Sequence, residues 1–457
     1  MMVLSKCSRR SYSWKFGIIL LAGLSIGLSV ALLSGDLWYS LALGIIYFII
    51  GYLIVARWDV SMGVLFAGGF LVRITLAFFL YLCLYSDYCL IGDVAYYLEK
   101  GKDIAGWLQR GAFISTPIPV AFQDIGYSTY NAVHLLLVDS PLLPVVSNVL
   151  VGSLCGFLTW RLALTLGLFN QRNARLIAGL VTFFPPLIYY SALNLKDTLL
   201  TFFLLIFTLQ GIYLLRNPSW RKLIQLALTF TILSTLRFYM AFLTLFLLSI
   251  VWLMQGRTKL GQKLILMIGL IGLLLGIGYW IPSVRLPFQR IIFEGPVQIL
   301  LTQSERSISH IARSEYFLSG LSRLSLQSVL FTLVHFLLTP NPFFLRGINL
   351  LRVPGALGWF LILPYFFSGS CRWIRERQMR QSDGLLIIGL TWATILLYAS
   401  QPWLADERHR LQLVPFAFII AVAAWSRPSK CQALINALTW ATILLVMSLV
   451  TFGVLAV

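Results

Sequence analysis

Charge is scarce in this 457-residue chain, and acidic charge most of all. Sixteen Asp and Glu stand against thirty-five Lys and Arg, and charged residues make up only 11% of the whole. A soluble domain carries roughly 25%, so a soluble globular protein is excluded. Cysteines are few and scattered (Cys7, Cys83, Cys89, Cys155, Cys371, Cys431), without zinc-ligand spacing. The four histidines, His134, His310, His335 and His409, are not spaced for a metal either. A phosphate-cradling Gly-rich loop, a dinucleotide fingerprint and a Gly-x-Ser-x-Gly elbow are all missing. Neither ATP-driven transport nor serine hydrolysis therefore has a sequence basis. The surplus charge of +19 has no polar domain to present it to a nucleic acid, which leaves anionic lipid headgroups and one membrane face as its destination.

What the chain has in quantity is apolar sequence. Hydrophobic residues reach 59%, and mean hydropathy is +0.86. Spanning-length apolar runs fall near 14–34, 38–56, 62–86, 141–167, 174–193, 198–215, 223–236, 238–254 and 264–281, then near 355–370, 384–400, 411–426 and 434–455. The first, behind Lys6, Arg9 and Arg10, reads as a retained anchor. The stretch 325–340 is short and carries His335, so it reads as a re-entrant or interfacial helix.

Lys and Arg bias then orients the chain. With the N-terminus in the cytoplasm, Arg57, Arg172, Arg175, Arg216, Arg221, Lys222, Lys259, Arg372 and Arg375 all face inward, provided 325–340 does not cross. This selects an all-α, polytopic transmembrane bundle of about thirteen spans. Only Asp59, Glu376 and Asp383 remain inside, so thirteen of the sixteen acids lie outside. Polar content concentrates in two outer segments, 87–140 and 282–353, and in the outer turn 401–410. The expected divisions are a two-span extension (1–61), a main module (62–426) and a last span (427–457).

Four places carry candidate chemistry. Asp93 opens a short helical segment with Tyr96, Tyr97 and Glu99, just past an apolar run. It reads either as a general base for a hydroxyl or as a helix N-cap. Lys196 and Asp197 follow Phe184-Pro185-Pro186 at an outer turn, where they suit a phosphate or the start of a helix. Arg237, in Leu236-Arg237-Phe238-Tyr239, joins two runs and suits either a phosphate or headgroup snorkelling. Glu407-Arg408-His409-Arg410 suits a lipid phosphate or an interfacial anchor. Arg73 lies mid-span, where an unpaired charge is costly, so it should face the bundle and find a partner there.

The order of these motifs resembles the GT-C superfamily of membrane glycosyltransferases, in particular the branch of the protein O-mannosyltransferases and aminoarabinose transferases. The elements are an Arg-bearing span (Arg73), Asp93-x-x-Tyr96-Tyr97, Gly126-Tyr127-Ser128-Thr129-Tyr130-Asn131-Ala132, Phe184-Pro185-Pro186 with Lys196-Asp197, Leu236-Arg237, and Glu407 to Arg410 with Pro415. Together they cover roughly residues 62–426. The resemblance implies inverting transfer of a sugar from a polyprenyl-phosphate donor to a hydroxyl acceptor on the outer face, with Asp93 as base. Donor phosphate would fall to Lys196, Arg237, Arg408 and Arg410. Tyr96, Tyr97, Trp107, Asp197, Glu407 and His409 would line the sugar and acceptor pocket, and a divalent metal is compatible with it. Gly92-Asp93 replaces the paired Asp-Glu of the mannosyltransferases. A lipid-linked saccharide flippase or exporter is the alternative of another class, and a polymerase or ligase using a diphosphate lipid and the 282–353 segment would share the same outer face.

Overall fold

A computed structural model describes residues 35–83, 92–111, 122–254, 333–334, 336–338, 352–376, 382–399, 407–425 and 430–451. The runs near 14–34 and 264–281 lie outside these residues, as do most of 282–353 and most of the 325–340 helix. Among the described residues the chain is helical, without a strand.

Among the described residues fourteen helices follow one another: α1 Gly35–Trp58, α2 Val60–Cys83, α3 Gly92–Gln109, α4 Phe122–Leu137, α5 Leu142–Leu166, α6 Gln171–Thr182, α7 Pro185–Ser191, α8 Asp197–Arg216, α9 Trp220–Met254, α10 Val353–Arg375, α11 Ser382–Ala399, α12 Glu407–Arg410, α13 Val414–Trp425 and α14 Lys430–Thr451. Six of them (α1, α2, α5, α8, α9 and α10) are long and apolar enough to cross a membrane. The bent pair α6 and α7 makes a seventh if it counts as one span, and α11, α13 and α14 are shorter apolar helices. Such helices suggest a membrane protein.

Local sequence explains the breaks. Asn170 caps α6 by accepting from the Asn173 amide at 2.9 Å. Pro185 and Pro186 open α7 at positions where a missing N–H costs nothing, and they cannot continue α6, so the two helices meet at 51°. Gly167, at φ +70°, closes α5 in the left-handed conformation that glycine tolerates best.

Unbroken, the 35 residues of α9 would make one rod of about 52 Å. Arg237 interrupts it with an extended backbone (φ −162°, ψ 91°). On a straight helix Phe230 and Phe242 would lie about 18 Å apart along the axis, yet their ring centroids are 5.4 Å apart. Lys222 donates to the Tyr213 carbonyl near the end of α8, Arg237 pairs with Asp197 at its start, and Leu248 lies beside Gly211. The chain therefore runs back along α8, reverses at Arg237 and returns. Residues 220–236 and 238–254 are the limbs of a hairpin, as the separate apolar runs at 223–236 and 238–254 anticipate.

One continuous apolar core links most of these helices, and a small second cluster (Ile104, Ala105, Ala132, Leu135) joins α3 to α4. Polar residues gather at the two ends of the bundle. At one end Arg175 pairs with Asp59, Arg216 with Asp383 and Arg372 with Glu376. At the other lie Asp93, Asp124, Lys196, Asp197, Arg237 and α12.

Candidate functional site

The site is a polar layer at the Asp93 end, assembled from helices that lie far apart in the chain. Helix α3 is amphipathic: Val94, Tyr97 and Ile104 are buried, while Asp93 and Glu99 face out. Its inner face brings the Tyr97 hydroxyl to Asp124 of α4, to which it donates at 3.2 Å. Asp124 also pairs with Lys196, whose ammonium stands 5.7 Å over the Tyr97 ring. Burial pulls the Lys196 pKa down from its ordinary value, and Asp124 opposes that shift. Burial pushes the Tyr97 phenol up, helped by the charges of Asp124 and Asp93.

Lys196 is held in place by amides. Asn148 of α5 donates to the carbonyls of Leu193 and Leu195 at 3.0 and 3.1 Å and to the Tyr127 hydroxyl at 2.7 Å. Tyr127 donates to Asn194 at 2.8 Å, and Asn194 donates to Asn131 at 2.7 Å. The segment between α7 and α8 is thereby pinned, with the Leu193 and Leu195 carbonyls satisfied inside an apolar bundle where unpaired ones would be costly.

Next to Lys196, Asp197 pairs with Arg237 at 3.1 Å. Arg237 also donates to the Tyr398 hydroxyl at 3.1 Å, and Tyr398 donates to Gln412. The His409 ring lies 5.3 Å from that of Tyr398. In α12, Glu407 accepts from Tyr190 at 2.9 Å and from Arg352. Arg410 donates to the Leu337 carbonyl at 3.0 Å and stands 5.2 Å over the Trp359 ring. Arg408 reaches across to α3 and pairs with Asp93.

Nearly all the residues singled out in the sequence thus meet in one layer, although they come from four separate stretches of chain. Four residues have neighbours that the sequence did not anticipate. Lys196 and Arg237, expected to hold a donor phosphate, are buried and each already carries a carboxylate, Asp124 and Asp197 respectively. Trp107, expected to stack on a sugar, packs on the α3–α4 apolar cluster, because α4 covers that face of α3. Tyr96 is partly buried, edge-on to Tyr97 at 5.4 Å.

Arg73 is fully buried, as expected, but among the described residues it forms no ion pair with a carboxylate. Nη1 donates to the Gly69 carbonyl at 3.0 Å, and Nε and Nη2 have no acceptor among the described residues. Gly69 and Gly152 make the space it occupies: an added Cβ would fall 3.1 and 3.2 Å from its nitrogens.

Asp124, Arg352, Tyr398 and Gln412 belong to the layer but were not legible as site residues, whereas Tyr190 stood in the Phe184-Pro185-Pro186 motif. Scarcity was the one available signal for Asp124. Tyr398 and Gln412 stand in and beside apolar runs with nothing to mark them. Among the described residues, no three His, Cys, Asp or Glu side chains converge to hold a metal ion.

No protein-family model matches this chain, and no curated protein matches it.

Proposed function

We propose that the protein is a multi-pass membrane glycosyltransferase of GT-C type. It transfers a sugar, with inversion, from a polyprenyl-phosphate donor to a hydroxyl acceptor at the Asp93 end of the bundle. That end is the outer face, the N-terminus is cytoplasmic, and the chain crosses the membrane about thirteen times. The observation that carries the reading is Asp93 itself. Its carboxylate is about half exposed, at 47%, on a short amphipathic helix at the end of the bundle, with Arg408 against it.

The layer suits an anionic lipid headgroup. Five cations (Lys196, Arg237, Arg352, Arg408, Arg410) face four carboxylates (Asp93, Asp124, Asp197, Glu407), so these residues together carry one positive charge more than they neutralise. Asp93 takes the proton of the acceptor hydroxyl as its oxygen attacks the anomeric carbon. The bond from that carbon to the phosphate oxygen breaks, and its electron pair leaves on polyprenyl phosphate. Arg408, the partly exposed cation, stabilises that leaving charge with paired N–H donors. Lys196 and Arg237 act through the field they and their carboxylates set up. Tyr96 and Tyr97 border the acceptor side.

The test is release of polyprenyl phosphate from a mixed pool of labelled polyprenyl-phosphate sugars. Asp93→Asn should lower the rate by about 10²- to 10⁴-fold, the usual contribution of a general base, while the protein remains monodisperse. Equal release by both proteins would remove Asp93 from the mechanism. No release by either, from any donor in the pool and with acceptor hydroxyls supplied, would favour a lipid-linked saccharide carrier.

A further inference from the structure

We propose that the Asp93–Arg408 pair is a clasp that the donor phosphate opens: the phosphate takes Arg408, and only then is Asp93 free to meet an acceptor. This rests on the reading of the layer as a phosphate-handling site.

Three of the layer's four ion pairs differ in how easily they can be exchanged. In Lys196–Asp124 and Arg237–Asp197 every side chain is at least 87% buried. Parting either pair would strand a charge out of water, so both are locked. Asp93 and Arg408 are 47% and 31% exposed. A pair so exposed contributes little net stability, and a phosphate monoester, with more charge and more acceptor oxygens than a carboxylate, competes well for a guanidinium.

The scaffold on both sides is fixed while the pair is not. Around Arg408, Glu407 is held by Tyr190 and Arg352, Arg410 by the Leu337 carbonyl and Trp359, and His409 lies against Tyr398. On the other side, α3 is tied down through Tyr97, Asp124 and Lys196. Exchange therefore takes place between side chains, on a turn and a helix that are each held by other contacts. Before donor binds, an Asp93 oxygen is occupied by the guanidinium and is closed to an acceptor hydroxyl. Donor binding reverses that by releasing the oxygen that Arg408 holds, so the geometry points to a donor-first order.

The experiment measures binding of decaprenyl phosphate to the detergent-purified full chain, with decaprenol as the uncharged control. Removing the competing carboxylate should tighten binding. Asp93→Asn and Asp93→Ser should each bind decaprenyl phosphate about three- to five-fold more tightly than wild type. Arg408→Gln should bind it at least about ten-fold more weakly, and decaprenol should not distinguish the four proteins. Unchanged or weaker binding by the Asp93 variants overturns the clasp, as does wild-type affinity in Arg408→Gln or an equal gain for decaprenol. Binding is read without turnover, so the two ideas separate. Tightened binding with no transfer from any donor keeps the clasp and sinks the transferase. Asp93-dependent transfer with unchanged binding does the reverse.

Discussion

Lys196 shows how much a single residue depends on its surroundings here. Its ammonium is almost wholly buried, and Asp124 is the carboxylate that keeps it charged. Asp124→Ala should cost about 3–5 kcal/mol, because it strands a buried cation rather than merely deleting a contact. Lys196→Met added to Asp124→Ala should recover most of that loss. Denaturant unfolding in micelles measures both, and a double variant as unstable as the single one would contradict the account. The pH dependence follows from the direction of the Lys196 shift. Burial lowers its pKa in the folded state below the ordinary 10.5, so the unfolded chain binds more protons in the alkaline window between the two values. Stability then rises with pH through that window. The deficit of Asp124→Ala should accordingly be largest near neutral pH and shrink as the solution becomes alkaline.

At the scale of elements, close approach of helices depends on small residues. Gly369 of α10 faces α13 so closely that a Cβ would fall 2.3 Å from the Ile420 carbonyl oxygen. That oxygen is backbone and cannot rotate aside, unlike the Thr235 hydroxyl that Gly126 meets at the same distance. Gly369→Ala should therefore push α10 from α13 and lower stability by about 1–3 kcal/mol, an overpacking cost. Gly126→Ala should cost less. Thermal melts of the two variants in one detergent check the ranking, and the reverse order would count against the packing described. The hairpin of α9 is a second element-scale feature. It puts Arg237 at the turn, opposite the start of α8, so that two helix ends and one guanidinium meet Asp197.

Across the whole molecule, charges are sorted by end. Every acid that the Lys and Arg bias puts inside (Asp59, Glu376, Asp383) pairs with an arginine put on the same side. The pairs of Asp93, Asp124, Asp197 and Glu407 likewise join residues put outside. Cysteines introduced singly at Lys102 and Arg221, in a cysteine-free background, should react differently with an impermeant maleimide on intact cells. Lys102→Cys should label directly, and Arg221→Cys only after permeabilisation. Labelling of Arg221→Cys from outside would invert the proposed orientation and with it the face of the chemistry.

The sequence by itself determined the helical class, the segregation of charge and the residue types at the site. Those follow from apolar run length, Lys and Arg bias and the scarcity of acids, which are properties of composition along the chain. It also placed Arg237 at a junction, because the apolar run is interrupted there. Only the tertiary structure decided who neutralises whom. Lys196 could have been a free phosphate ligand until Asp124, from a helix 72 positions earlier, arrived beside it. Arg73 could have had a carboxylate, but among the described residues packing brought Gly69, Gly152 and Cys155 to it instead. Asp93 and Arg408 are 315 positions apart, and no local pattern encodes their meeting. Pairing of charges in a low-dielectric bundle is set by which helix ends coincide in space, and sequence spacing carries no record of that.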